Sequence, residues 1–247
     1  MTQSLDGTVT LVTGASSGIG QATARLVAEQ GGLPVISARR SDRLHTLAQE
    51  LPGALAVQAD MRDPEQVRRL VEMTLEHHGR IDALVNNAGQ GLHLPLEQVS
   101  LDDLVAITEL NFYAPLVAMQ AVLQAMRSQG SGAIVNVSSG TSRMVLPGAG
   151  AYAATKSALN MLSLVAREEL AADGIVVSLV YPSVTATEFH ERLRAGGMPE
   201  GGSGLTPHSP QYVAKAIVRA LFTGEAEVII PHGPERPEEM ELANWQG

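Results

Sequence analysis

In the stretch YAATK, Tyr152 and Lys156 stand four positions apart. On a helix that spacing puts both on one face. A phenol titrates near ~10 and is a poor base at neutral pH. A nearby cation favours the phenolate and lowers that value, so the pair could exchange a proton with a carbonyl or alcohol oxygen. Ser138 and Ser139, at the end of the run IVNVSS, offer hydroxyls to hold such an oxygen. A second group lies near the start, in LVTGASSGIGQATARL. Gly14, Gly18 and Gly20 read G-x-x-x-G-x-G and enclose Ser16, Ser17 and Ile19. Glycines there would let the backbone approach a pyrophosphate, and a helix N-terminus would offer it free N–H groups. The third group is SARRSDR. An NAD site normally carries Asp or Glu at the end of the second strand, for the ribose 2′-hydroxyl. Here Ala38 removes the carboxylate, and Arg39 and Arg40 offer guanidinium forks suited to a 2′-phosphate. The expected cofactor is NADP(H).

The elements that must position these groups alternate along the chain. Strand-like runs at 8–12, 34–38, 54–58, 81–85, 133–138, 175–181 and 227–230 are separated by helix-like stretches. The glycine turn falls between the first strand and the first helix, which ends at Gly31-Gly32. Ser41 opens a second helix that runs to about Leu51. DPEQ at 63–66 reads as a helix start, with Asp63 as N-cap, Pro64 at N1 and Gln66 at N3. Further helices are predicted at 100–128, 152–171 and 209–224. The pattern predicts an α/β fold in one domain, residues 1–247, built on a doubly wound parallel sheet of about seven strands with helices on both faces.

Composition narrows the function. The net charge is −9 and no basic patch stands out, which argues against a nucleic-acid partner. There is no Cys, so disulfides and thiolate metal sites are excluded. His77 and His78 are expected to end a helix, and no metal site is expected. No apolar run was expected to reach the ~20 residues of a membrane helix. The first strand begins by about Val9, which leaves no room for a signal peptide, so the expected compartment is the cytoplasm.

TGASSGIG, NNAG, IVNVSS and YAATK, in this order, resemble the classical short-chain dehydrogenase/reductase family over residues 8–187. The resemblance implies a Rossmann-type fold and an oxidoreductase that interconverts a ketone or aldehyde and an alcohol. The family's serine lies thirteen positions before its tyrosine, which selects Ser139 to hold the substrate oxygen. Tyr152 would transfer the proton, and Lys156 would bind the nicotinamide ribose. Asn111 matches the family's fourth catalytic member, and Pro115, four residues on, deprives its carbonyl of a helical donor. That carbonyl could hold a water of a proton relay. Asp60 with Met61 matches the adenine-side segment, and Asn87, Ala88 and Gly89 the segment beside the ribose. Pro182, Thr185 and Thr187 fall at the nicotinamide end, although PSVTAT departs from the family's P-G-x-V-x-T at Ser183 and Thr185. A homotetramer or homodimer on the helices at 100–128 and 152–171 is implied.

The alternative reading is a non-catalytic NADP(H)-binding sensor or scaffold; an epimerase or dehydratase with the same Tyr–Lys pair is a third. Candidate substrate-wall residues are His93, Leu94, Met144, Val145, Leu146, Phe189 and Met198, a largely apolar set that suits an uncharged carbonyl compound. Residues 182–208 are Gly- and Pro-rich, and TEFHERLR within them has helical character. This segment is expected to be a mobile cover that orders when cofactor and substrate bind.

Overall fold

The computed structural model describes residues 5–197, 204–236 and 238. Seven strands form one parallel sheet: β1 (Val9–Thr13), β2 (Leu33–Ala38), β3 (Leu55–Gln58), β4 (Ala83–Asn86), β5 (Gly132–Val137), β6 (Ile175–Tyr181) and β7 (Glu227–Ile229). Their order is β3-β2-β1-β4-β5-β6-β7. The chain direction across the sheet reverses between β1 and β4. Crevices at the carboxyl ends of such switch points are where open α/β sheets take ligands.

Successive strand residues point to opposite faces, and both faces are apolar. Val12, Ile36, Val85, Val135 and Val180 meet α1 (Gly18–Glu29), α2 (Ser41–Glu50) and α7 (Pro210–Thr223). Their neighbours Leu11, Val35, Leu84, Ile134 and Val177 meet α3 (Pro64–His78), α5 (Ala114–Gln129) and α6 (Gly150–Leu170). This double burial explains the short, almost unbroken Val/Leu/Ile runs of the strands.

Helix ends follow local chemistry. The Asp63 carboxylate accepts from the Glu65 and Gln66 N–H groups, and Pro64 sits in the first turn. Gln66 does not close a reciprocal box with Asp63; its Oε1 accepts from the Asp60 N–H at 2.9 Å and so steadies a residue of the candidate site. His77 and His78 occupy the last turn of α3 before the left-handed Gly79.

The long helix expected at 100–128 is not regular. α4 (Leu101–Thr108) passes through one π turn, Glu109–Tyr113, into α5. The Ala114 N–H bonds to the Glu109 carbonyl, and Pro115 supplies no N–H to the next position. The run Leu101–Gln129 contains an 18-residue window with a mean hydropathy of 1.2 and is long and apolar enough to cross a membrane by length and composition alone. Its inner face, including Ala118, Met119, Val122 and Met126, packs against the sheet.

The segment after β6 forms no α-helix among its described residues. TEFHERLR yields only a short 3-10 turn, His190–Arg192. Backbone bonds nevertheless fix this segment against the loop after β4. The Arg194 N–H reaches the Gly91 carbonyl at 2.8 Å, and the His93 N–H reaches the Ala195 carbonyl at 3.2 Å. Met198 and the pair Gly201-Gly202 lie outside the described residues.

Candidate active site

A cavity of about 790 Å³ opens at the carboxyl edge of the sheet, over the switch point. One end is built by the glycine turn. Gly14 and Gly18 have positive φ, 69° and 56°. A Cβ on Gly14 would lie 2.9 Å from the Ala88 Cα, and one on Gly18 would lie 2.9 Å from the Thr187 methyl. Gly20 does not line the cavity. It lets α1 approach the turn, since a Cβ there would fall 2.5 Å from both Asn87 Nδ2 and the Gly14 oxygen. Ser17 is the N-cap of α1, yet its side chain caps nothing, so the first N–H groups of the helix keep their donors for an anion. Ser16, Ser17 and Ile19 all line the cavity.

The loop after β4 is held to the turn through Thr13. Its Oγ1 accepts from the Asn87 and Ala88 N–H groups, both at 3.1 Å, and Asn87 Nδ2 donates to the Thr13 carbonyl at 2.9 Å. Ala88 and Gly89 continue the wall, Asp60 and Met61 lie beyond β3, and Pro182, Thr185 and Thr187 close the opposite side.

The two arginines after β2 differ. Arg40 donates to Ser16 Oγ, to Ser17 Oγ and, through Nη1, to Glu188 Oε2 at 3.0 Å. Arg39 is exposed, and among the described residues its guanidinium has no hydrogen bond or ion pair. Asp60 is occupied by Arg62, whose Nη2 lies 2.5 Å from its Oδ2; that bond holds the Asp60 carboxyl below its usual range.

At the other end stand the candidate catalytic groups. Ser138 and Ser139 part ways. Ser138 Oγ donates to Asn160 Oδ1 on α6 at 2.5 Å, which registers the helix against β5. Ser139 Oγ accepts from the Thr141 N–H at 3.2 Å and from Thr141 Oγ1 at 2.9 Å. Its one proton is therefore uncommitted among the described residues, and Tyr152 stands beside it in the cavity wall. Burial pushes the Tyr152 phenol up to about 12, and the neighbouring Ser139 hydroxyl works the other way. In this cavity burial is the larger influence on the phenol. Lys156, itself buried, is pushed down to about 8 and donates to the Val137 carbonyl at 2.8 Å.

Asn111 is fully buried and does not line the cavity. Its side chain joins three elements. Nδ2 donates to the Gln90 carbonyl at 2.9 Å and to Thr155 Oγ1 at 3.1 Å, while Oδ1 accepts from the Gln90 N–H at 2.9 Å. A Cβ on Gly89 would lie 3.2 Å from Asn111 Oδ1 and 3.5 Å from Lys156 Nζ, so these groups are neighbours.

Of the expected wall residues, His93, Met144, Leu146 and Phe189 line the cavity, whereas Leu94 and Val145 do not. The Phe189 ring sits 5.8 Å from that of Tyr152. Sequence reading missed His190, His232 and Glu188 as lining residues. His232 meets Ser183, the residue that departs from the family pattern, with Nδ1 2.5 Å from Oγ. The departure at 183 was the one available signal for that contact.

The model of a family described as short chain dehydrogenase matches residues 8–197. An uncharacterized oxidoreductase of Staphylococcus saprophyticus is 33% identical over 219 residues, 86% of this chain and 89% of that protein. Among solved structures, the 3-ketoacyl-(acyl-carrier-protein) reductase from Brucella melitensis, complexed with NADH, is 27% identical with a TM-score of 0.85, covering 94% of this chain and 99% of that one. A short-chain dehydrogenase from Sphingobium yanoikuyae in complex with NADPH is 31% identical with a TM-score of 0.81, covering 91% and 88%.

Proposed function

The chain belongs to the short-chain dehydrogenase family, and on that premise we propose that it is an NADP(H)-dependent oxidoreductase interconverting a ketone or aldehyde and an alcohol. The observation that carries this reading is that Ser139, Tyr152 and Lys156 line one end of the same cavity, with Ser139 Oγ accepting from Thr141 so that its own proton is uncommitted among the described residues. A carbonyl oxygen entering beside them would accept from both hydroxyls. Burial keeps Tyr152 protonated at neutral pH, which suits it as the acid in carbonyl reduction. Lys156, one helical turn away and pushed down to about 8 by burial, suits ribose hydroxyls and resupply of the proton.

The residues present fit a nicotinamide dinucleotide. A Cβ at Gly14 or Gly18 would collide with Ala88 or Thr187, so the tight turn needs glycine, and the uncapped start of α1 suits the phosphates. The cofactor, when bound, would supply or accept the hydride. Preference for the 2′-phosphorylated form rests on Ala38, which leaves no carboxylate, and on the unpaired guanidinium of Arg39. The substrate is read as a small, largely uncharged compound, because Leu92, Met144, Leu146 and Phe189 surround the reactive end. Leu101, Val105 and Tyr113 from Leu101–Gln129, with Met161 and Val165 of α6, leave apolar surface exposed, which supports assembly with further copies of this chain as a dimer or tetramer.

The test is NADPH consumption against a panel of ketones, aldehydes, quinones and a 3-ketoacyl thioester. The reading expects NADPH-linked reduction of at least one carbonyl compound; no turnover with any class would favour a non-catalytic nucleotide-binding role.

A further inference from the structure

Glu188 follows Thr187 in the segment after β6 and gathers three arginines. Its Oε1 accepts from Arg43 Nη1 at 2.7 Å, and its Oε2 from Arg40 Nη1 and Arg192 Nε, both at 3.0 Å. Arg40 lies just past β2 and Arg43 in the first turn of α2, so this carboxylate ties the segment to the ribose end of the cavity. The next residue, Phe189, rests on Tyr152, and with Leu193 it covers Gly91. One short segment therefore touches the arginines at one end and the candidate acid at the other.

The donors of Arg40 are divided. Nε and Nη2 serve Ser16 and Ser17, and Nη1 serves Glu188. A phosphate dianion beside Arg39 and Arg40 makes stronger charge-assisted bonds than a carboxylate that is shared among three arginines. It would also stand close to the like charge of Glu188.

We propose that Glu188 is a clasp that responds to the cofactor's 2′-phosphate: a phosphate bound at Arg39 and Arg40 takes the Arg40 donor from Glu188 and loosens residues 188–193 over Tyr152. This inference rests on the NADP(H) reading and deepens it. Glu188 remains held by Arg43 and by Arg192 of its own segment, so the segment loosens without detaching. The 2′-phosphate then sets access to the acid as well as affinity, and a cofactor lacking it leaves the clasp shut. The arginines hold the Glu188 carboxyl down to about 2, in keeping with an anion that depends on them.

The probes are adenosine 2′,5′-bisphosphate and 5′-AMP, which differ by the 2′-phosphate alone. Affinities come from calorimetry, and the state of 188–193 from amide hydrogen exchange. Wild-type protein should bind the bisphosphate about tenfold tighter or more, as loss of a charged contact implies. Its amides at 188–193 should exchange faster with the bisphosphate than with 5′-AMP. Glu188→Gln should bind the bisphosphate about two- to fivefold tighter than wild type, the range of a partly exposed ion pair. Its affinity for 5′-AMP should not change, and its 188–193 amides should exchange rapidly without nucleotide. Unchanged or weaker bisphosphate binding by Glu188→Gln overturns the clasp, as does equal exchange with the two nucleotides in the wild type. Equal wild-type affinity for the two nucleotides instead overturns the NADP(H) reading, and the clasp with it.

Discussion

Replacing Arg39 by Ala isolates the proposed 2′-phosphate contact, because the arginine side chain makes no hydrogen bond or ion pair among the described residues. It is exposed, and its guanidinium bonds to no described residue; the Asp60 charge is the one it influences. The substitution should therefore leave stability within about 0.5 kcal/mol. A charge-assisted hydrogen bond is worth about 1.5–3 kcal/mol, and exposure to solvent pulls this one toward the lower end. That corresponds to about a tenfold rise in Kd for NADPH. NADH has no group to lose there, and its Kd should stay within about twofold, inside the effect of a surface change. Arg40→Ala is the contrasting control. It strips a partner from Ser16, Ser17 and Glu188 together, so both cofactors should weaken. Titration of nucleotide fluorescence on each variant reads these constants directly. Equal losses for NADPH and NADH in Arg39→Ala, or no loss for either, would refute the reasoning.

Two further substitutions test the site's construction. Lys156 is held at about 8, below its ordinary 10.5, so the unfolded chain binds more protons between these values and stability rises with pH across them. Lys156→Met removes that cost, and at pH 7 it should stabilise the fold by about 1–3 kcal/mol after the lost bond to Val137 is counted. The advantage should shrink as pH rises from about 8 toward 10; urea unfolding at both ends of that range would show it, and a constant gap would contradict it. Gly20→Ala would ordinarily strengthen a helix by about 1 kcal/mol, but its methyl would meet Asn87 Nδ2 and the Gly14 oxygen. The clash should win by about 1–3 kcal/mol, lowering both the melting temperature and NADPH affinity. A variant as stable as wild type would show that the turn can yield.

What the sequence made legible was local or periodic. Alternating strands and helices announced the sheet, and Asp63, Gly79 and Gly224 mark helix ends because capping is decided within a few residues. The glycine turn and the YAATK helix were readable for the same reason, whereas Ser139 was chosen over Ser138 on the family's spacing alone. The π turn at Glu109–Tyr113 was half legible: Pro115 signalled a disturbed ladder, but which carbonyl would take which donor depends on packing against α6 and the Gln90 backbone. The pairing of Ser183 with His232 and of Glu188 with Arg40 joins positions far apart in the chain, and no local pattern reports such distances. The upward push of burial on the Tyr152 phenol belongs to the folded cavity, and no local pattern reports it.

The central claim is that the Tyr152 hydroxyl carries the proton while the nucleotide is held elsewhere. Tyr152→Phe removes that hydroxyl and keeps the ring against Phe189. Once a carbonyl substrate has been found, turnover and NADPH affinity should be measured on this variant side by side. The account predicts that turnover is abolished and that the Kd for NADPH is nearly unchanged. A variant that keeps more than about a tenth of wild-type kcat, less than the ~10²-fold expected of general acid catalysis, would contradict it.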